Sequence, residues 1–96
     1  MAQNVTATNS DRMNVHYAEC DDVLYVAIGQ PVPASCDEDD DGILWRVSYA
    51  NGEIVGATIV EFLGRGNDTD RLLAKIADRL SFSLRALRQA AVGSRH

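Results

Sequence analysis

The spacing of apolar and polar residues changes period once along this chain, near residue 68, and separates a strand-rich part from a helical part. Between residues 12 and 63 the apolar positions alternate in short runs. MNVHYA (13–18) leads through the turn-like ECDD into VLYVAIG (23–29). QPVP then interrupts the pattern, because proline has no N–H to give to a central ladder. ASCDE (34–38) reads as a short edge strand, and ILWRVSYA (43–50) and EIVGATIVEFL (53–63) as two longer strands. From Asp68 the spacing is helical: Leu72, Leu73, Ile76, Leu80, Leu84, Leu87 and Ala91 share one stripe, with Arg71, Lys75, Asp78, Arg85 and Gln89 on the opposite arc. Asp68 or Thr69 suits the N-cap, Asp70 the first turn and Gly93 the exit. Phe82 falls inside the charged arc, so SFS (81–83) either bends the helix or leaves a ring in water. The elements predict one α+β domain over residues 12–93, an antiparallel β-meander of four to five strands with one long C-terminal amphipathic helix packed across one face. Residues 1–11 are polar and aperiodic and read as a disordered N-terminal tail.

Asn51-Gly52 between two β-rich runs is a strong hairpin signal, since a type I′ turn needs positive φ at both central residues. With these two residues as the loop, Tyr49 faces Ile54, Val47 faces Gly56, Trp45 faces Thr58 and Ile43 faces Val60. Ile43, Trp45, Val47, Tyr49, Ile54, Thr58 and Val60 then line one face, with Phe62 in phase. Gly56 on that face leaves space beside the Trp45 indole or for an approaching backbone. Leu44, Arg46, Ser48, Val55, Ala57, Ile59 and Glu61 line the other, which is more apolar than a solvated face requires.

Charge sharpens the division. Residues 1–61 carry 11 acidic and 2 basic side chains, whereas residues 62–96 carry 7 basic and 3 acidic. Such asymmetry points to a charged partner, to a second copy of the chain, or to attraction between the two halves of one fold. No apolar run reaches the ~18 residues of a membrane span. The first residues lack the apolar stretch of a signal peptide, and two cysteines make no disulfide framework, so a cytoplasmic location is expected.

Candidate chemistry is thin. CDEDDDG (36–42) places Asp37, Asp39, Asp41 and Gly42 at the first four diagnostic positions of a calcium loop. The twelfth position, which requires a bidentate Glu, is Ser48, and the residues after Gly42 alternate as a strand rather than entering a helix. A solvated acidic turn that discourages edge pairing is the better reading. GRGNDT (64–69) lacks the third glycine and the Gly-Lys-Ser/Thr of phosphate loops, and Asp68 and Asp70 repel phosphate. His16, Cys20, Cys36 and His96 have no zinc-ligand spacing, and His16 lies in no nucleophile motif. No catalytic residue, cofactor or metal site is therefore expected, and the chain reads as a non-enzyme.

YAECDDVLYVAI followed by NGEIVGATIV resembles the small bacterial proteins grouped as domain of unknown function 2283. The resemblance runs over roughly residues 13–63 and rests on Tyr17, Asp22, Leu24, Tyr25, Val26, Gly52, Ile54, Val55 and Gly56. The chain has Ala18 and Thr58 where that family usually carries acidic residues, and it adds a long basic helix. The resemblance implies a meander-plus-helix fold, an antitoxin-like role beside a small toxin in some genomic settings, and no enzymatic activity.

The expected function is accordingly that of a small homo-oligomeric interaction protein, with a homodimer first and a small basic protein as the further partner. One helix covers only one face of the sheet, which leaves Leu44, Val55 and Ile59 for an interface. A continuous helix over 69–91 measures about 34 Å and overhangs strands of about 23 Å, so Phe82, Leu84 and Leu87 with Arg85 at the rim form a second predicted contact. The alternative is nucleic-acid binding through Arg71, Lys75, Arg79, Arg85 and Arg88, against which stand a pI near 4.7 and the lack of any helix-turn-helix signature.

Overall fold

The computed structural model describes residues 12–93, so the predicted N-terminal tail lies outside the described residues. Five strands, β1 (Met13–Ala18), β2 (Val23–Ile28), β3 (Ala34–Glu38), β4 (Ile43–Ser48) and β5 (Ile54–Val60), precede a 3-10 segment (Leu63–Asp68) and two helices, α1 (Thr69–Leu80) and α2 (Leu84–Gly93). The strands form one antiparallel sheet in the order β1-β2-β5-β4-β3, an α+β fold of the predicted class. β1 and β2 make one hairpin, and β3, β4 and β5 make a meander whose last strand docks on β2. Residues 29–33 carry the chain past β5 and β4 to the far edge, where Pro31 and Pro33 interrupt no ladder.

The β4–β5 connection is not the predicted two-residue turn. Ser48 N–H donates to the Glu53 carbonyl (2.8 Å) and Gly52 N–H to the Ser48 carbonyl (2.9 Å), which closes a loop over residues 49–52. Only Gly52 in this loop has positive φ, at +74°, whereas type I′ requires two such residues. The Asn51 side chain instead accepts the Glu53 N–H at 3.0 Å, a local bond that competes with the I′ conformation. An extra residue is then absorbed at Val55, which bulges between the pairs Arg46–Gly56 and Val47–Ile54. Beyond the bulge Trp45 pairs with Ala57, Leu44 with Thr58 and Ile43 with Ile59. This shift exchanges the two sides of β5: Ala57 and Ile59 join Ile43 and Trp45 in the core, and Thr58 and Val60 turn to the other face. Gly56 also lies opposite the Trp45 face, where a Cβ would stand 2.8 Å from the Val26 carbonyl oxygen.

The predicted single helix is two. Ser81 is left-handed (φ 59°, ψ 40°), and the N–H groups of Phe82 and Ser81 return to the carbonyls of Ala77 (2.8 Å) and Asp78 (3.4 Å), the two bonds of a Schellman ending. Ser83 then starts α2 by accepting the Ala86 N–H at its hydroxyl (3.2 Å). SFS is thus a stop, an apolar anchor and a start. The break folds α2 back toward β1 and against α1, while α1 lies along β5. Phe82 is pressed into the core instead of facing water, and Leu24, Ile43, Ile59, Ile76 and Leu87 have no exposed surface. The whole helical layer sits on one side of the sheet.

Candidate functional site

The acidic turn is more than a solvated loop. Asp39 accepts the backbone N–H groups of Asp41 (2.9 Å) and Ile43 (3.0 Å) at Oδ1. Its Oδ2 takes the Trp45 indole N–H (2.9 Å) and the Lys75 ammonium (2.7 Å). Asp41 holds Lys75 (2.8 Å) and Arg71 (3.1 Å), and its carbonyl accepts from the Arg65 guanidinium (3.0 Å). The turn therefore clamps the sheet to the first half of α1. Burial by itself pushes the Asp39 carboxyl upward. The Lys75 ammonium, the Trp45 indole and the two backbone N–H groups outweigh it and hold the carboxyl far below the usual range. Asp41 is held low by Lys75 and Arg71, and Lys75 is pushed up by Asp39 and Asp41. Asp37, Glu38 and Asp40 remain exposed. The oxygens of Asp39 and Asp41 that a calcium loop would point inward are spent on N–H donors and cations of the chain. Among the described residues no group of three or more His, Cys, Asp or Glu side chains could hold a metal ion.

Asp22 makes a second clasp. It adopts φ 55° at the β1–β2 turn and accepts the Tyr17 hydroxyl (2.7 Å) and the backbone N–H groups of Leu63 (2.9 Å) and Gly64 (3.3 Å). Those bonds, with the Leu63 N–H first and the Tyr17 hydroxyl second, keep its carboxyl below the usual range. Tyr17 and Asp22, conspicuous in the sequence, thus fix the exit of β5 and take up each other's polar groups.

Among the described residues the candidate nucleophiles and His16 are not brought together. Cys20 and Cys36 are free and exposed. His16 and Cys36 lie on β1 and β3, the opposite edges of the sheet, about 19 Å apart at four strand spacings of ~4.8 Å. His16 stacks on Tyr25 (centroids 6.1 Å apart) and stands far from every carboxylate of the acidic turn in strand order.

What remains is the side of the sheet without helices. Strand pairing arranges it in rows. One row runs His16, Tyr25, Thr58, Leu44, Glu38 from edge to edge; beside it run Asn14, Ala27, Gly56, Arg46, Cys36 on one side and Ala18, Val23, Val60 on the other. Tyr25 and Val60 are 44% and 40% exposed, high for large apolar residues on the interior strands of a sheet. The interior strands of this face carry Val23, Tyr25, Val60 and Leu44 beside Thr58 and Arg46, and its edge strands carry Asn14, His16, Cys36 and Glu38.

The predicted interface residues scatter. Leu44 stays on the open face, half-buried. Val55 is the bulge residue, also half-buried. Ile59 is in the core because the bulge turned it over, and Phe82 and Leu87 are buried because the helix break folded them inward. Leu84 packs half-buried against the core and Arg85 is exposed. Of the basic residues on the helices, Arg71 and Lys75 hold the acidic turn, Arg88 holds Asp70 (3.2 Å), and Arg79 lies over the Trp45 ring at 5.1 Å. Tyr25, Val60, His16 and Glu38 were not singled out from the sequence as interface residues. The phase of VLYVAI, with Leu24 and Val26 inward, was the signal for Tyr25. No helix among the described residues is long and apolar enough to cross a membrane.

Comparisons with family models, with curated proteins and with solved structures find no match for this chain.

Proposed function

We propose that this protein works by contact with another polypeptide through the open face of its sheet and carries out no chemistry of its own. The observation that carries the reading is the one-sided helical layer: Tyr25 and Val60 stand exposed on the interior strands of a face that the helices leave uncovered among the described residues. An antitoxin-like role, which the resemblance to domain of unknown function 2283 implies, is one form of such contact. A second copy of the chain and a small basic protein both suit a surface whose β3 edge is acidic. Nucleic acid is the second reading and is weaker, because Arg71, Lys75 and Arg88 already hold carboxylates and Arg79 an aromatic ring.

The test is sedimentation of the chain alone and mixed with the product of its adjacent reading frame, each repeated with Tyr25→Asp/Val60→Asp. A complex is expected in at least one mixture and is lost in the variant, whose circular dichroism and melting temperature stay close to the parent. Complexes indifferent to the double substitution refute the reading. So does salt-dependent DNA binding that Arg85→Glu abolishes in a chain that forms no protein complex.

A further inference from the structure

We infer that the occupant of the open face is a second copy of this chain, packed sheet against sheet about a two-fold axis that runs along β5. The inference rests on the reading that this face is a contact surface, and it names the partner and its pose.

The strand order supplies the symmetry. β5 is the middle of five strands, with β2 and β1 on one side and β4 and β3 on the other. Rotation by half a turn about an axis parallel to β5, between the two sheets, preserves position along the strands and reverses position across them. Each row of side chains therefore meets the same row of its partner in reverse. The row His16, Tyr25, Thr58, Leu44, Glu38 is self-complementary under that operation. His16 at one edge faces Glu38 at the other, an imidazole N–H against a carboxylate, and the symmetry makes this contact twice. Tyr25 faces Leu44, ring against aliphatic side chain, also twice. In the neighbouring row the long Arg46 faces the small Ala27, and Asn14 faces Cys36. On the axis β5 sets Val60, Thr58 and Gly56 opposite their own counterparts; Val60 is exposed and Thr58 and Gly56 are buried, so apolar meets apolar and no charge meets itself.

The other two-fold that lies between the sheets, perpendicular to the strands, reverses position along them instead. An axis of that kind through the same row sets Glu38 against Glu38, a repulsion that the axis along β5 avoids. Size agrees with a modest affinity. Five strands at ~4.8 Å spacing and about six residues at ~3.4 Å give a face of roughly 24 by 20 Å, about 1,000 Å² for two copies. That lies at the lower end for specific interfaces, the size of a weak or transient contact. Two sheets so packed stand ~10 Å apart with strands nearly aligned, the geometry of a β-sandwich.

The experiment is a charge exchange read by sedimentation equilibrium near neutral pH. His16→Glu puts Glu against Glu38 at two places, and the dimer constant is expected to weaken roughly three- to thirty-fold. His16→Glu/Glu38→Lys restores the pairing and returns the constant to within about threefold of the parent. An equimolar mixture of His16→Glu with Glu38→Lys forms a heterodimer at least as tight as the parent. An axis perpendicular to the strands predicts no rescue, because His16→Glu and the double variant then each carry two like-charge contacts. A double variant no tighter than His16→Glu therefore overturns the pose. Parent protein that stays monomeric at millimolar concentration overturns the second copy as occupant, yet leaves the contact reading standing if the partner mixture still depends on Tyr25 and Val60. Dimerisation that ignores Tyr25→Asp/Val60→Asp overturns both. Melting temperatures of all variants, measured alongside, separate lost contact from lost fold.

Discussion

Alanine at position 39 strips the acidic turn of both its oxygens at once, and the cost is set by which donors can find water afterwards. The Asp39 side chain is 19% exposed and accepts four hydrogen bonds, two from backbone N–H groups of its own turn, one from Trp45 and one from Lys75. The turn N–H groups lie near the surface and re-hydrate at little cost. Lys75 keeps Asp41, and a partly exposed ion pair is worth up to about 1 kcal/mol. The indole N–H is different. Trp45 is 3% exposed, so Nε1 loses its acceptor with little access to solvent, at a cost of about 1–3 kcal/mol. The sum is about 1–4 kcal/mol, which for a domain of this size lowers the melting temperature by roughly 5–30 °C. Asp39→Asn keeps one oxygen and is expected to lose about half as much. Urea unfolding followed by far-ultraviolet circular dichroism measures both variants and serves equally for chains without Trp45. Trp45→Phe closes a double-mutant cycle with Asp39→Ala that isolates the indole bond. An Asp39→Ala loss below about 0.5 kcal/mol refutes the clamp. A cycle in which the two losses simply add refutes the share assigned to the indole.

The carboxyls of Asp39, Asp41 and Asp22 all lie below their ordinary value of 3.8 in the folded chain, so each adds stability that is present above that value and lost as pH falls toward the folded one. Thermal melts are expected to be flat from neutrality to about pH 5 and to fall steadily below it, with a shallower acid limb in Asp39→Asn; equal slopes contradict the assignment. Gly56→Ala brings a Cβ to 2.8 Å from the Val26 carbonyl oxygen and forces β2 and β5 apart, with an expected loss of about 1–3 kcal/mol in urea unfolding; a neutral or stabilising alanine shows that the strands part freely.

The fold class was legible because it depends on where the hydrophobic period changes, and Asp68 marks that change in sequence and structure alike. The helix break was legible in part. SFS stood out because Phe82 broke the apolar stripe, but the left-handed Ser81 and the capping Ser83 are local conformations that periodicity does not encode. The clamp of Asp39 and Asp41 on Lys75 and Arg71 was visible only as a charge difference between the two halves of the chain. Which acid meets which base depends on α1 passing beside the β3–β4 turn, a tertiary fact. Of the named interface residues, Leu44 alone keeps a place in a row of the open face.

The residue that decides which side chains face outward is one the alternation rule treats as ordinary. Val55 supplies a single extra position in β5, and every side chain of that strand beyond it changes sides relative to an unbulged hairpin. Without the bulge Thr58 and Val60 would face α1 and Ala57 and Ile59 would be left outside, an apolar surface on a strand whose core side is then too polar to pack. With it, Ile59 completes the row Tyr17, Leu24, Ile59, Ile43 under the helices, and Val60 and Thr58 complete the outer rows with Val23, Tyr25 and Leu44. The same displacement that makes a core available makes a moderately apolar outer face with a histidine at one edge and a glutamate at the other. Gly56 follows the bulge directly, and its missing side chain lets β5 approach the Val26 carbonyl on the outer side while leaving that face free of a protrusion between Ala27 and Arg46. Sheet closure and the open face therefore have one origin in the chain. A substitution that straightens the Val55 bulge is expected to disturb folding before it disturbs the proposed contact, whereas Tyr25, Val60, His16 and Glu38 lie outside the core and test that proposal with the fold kept.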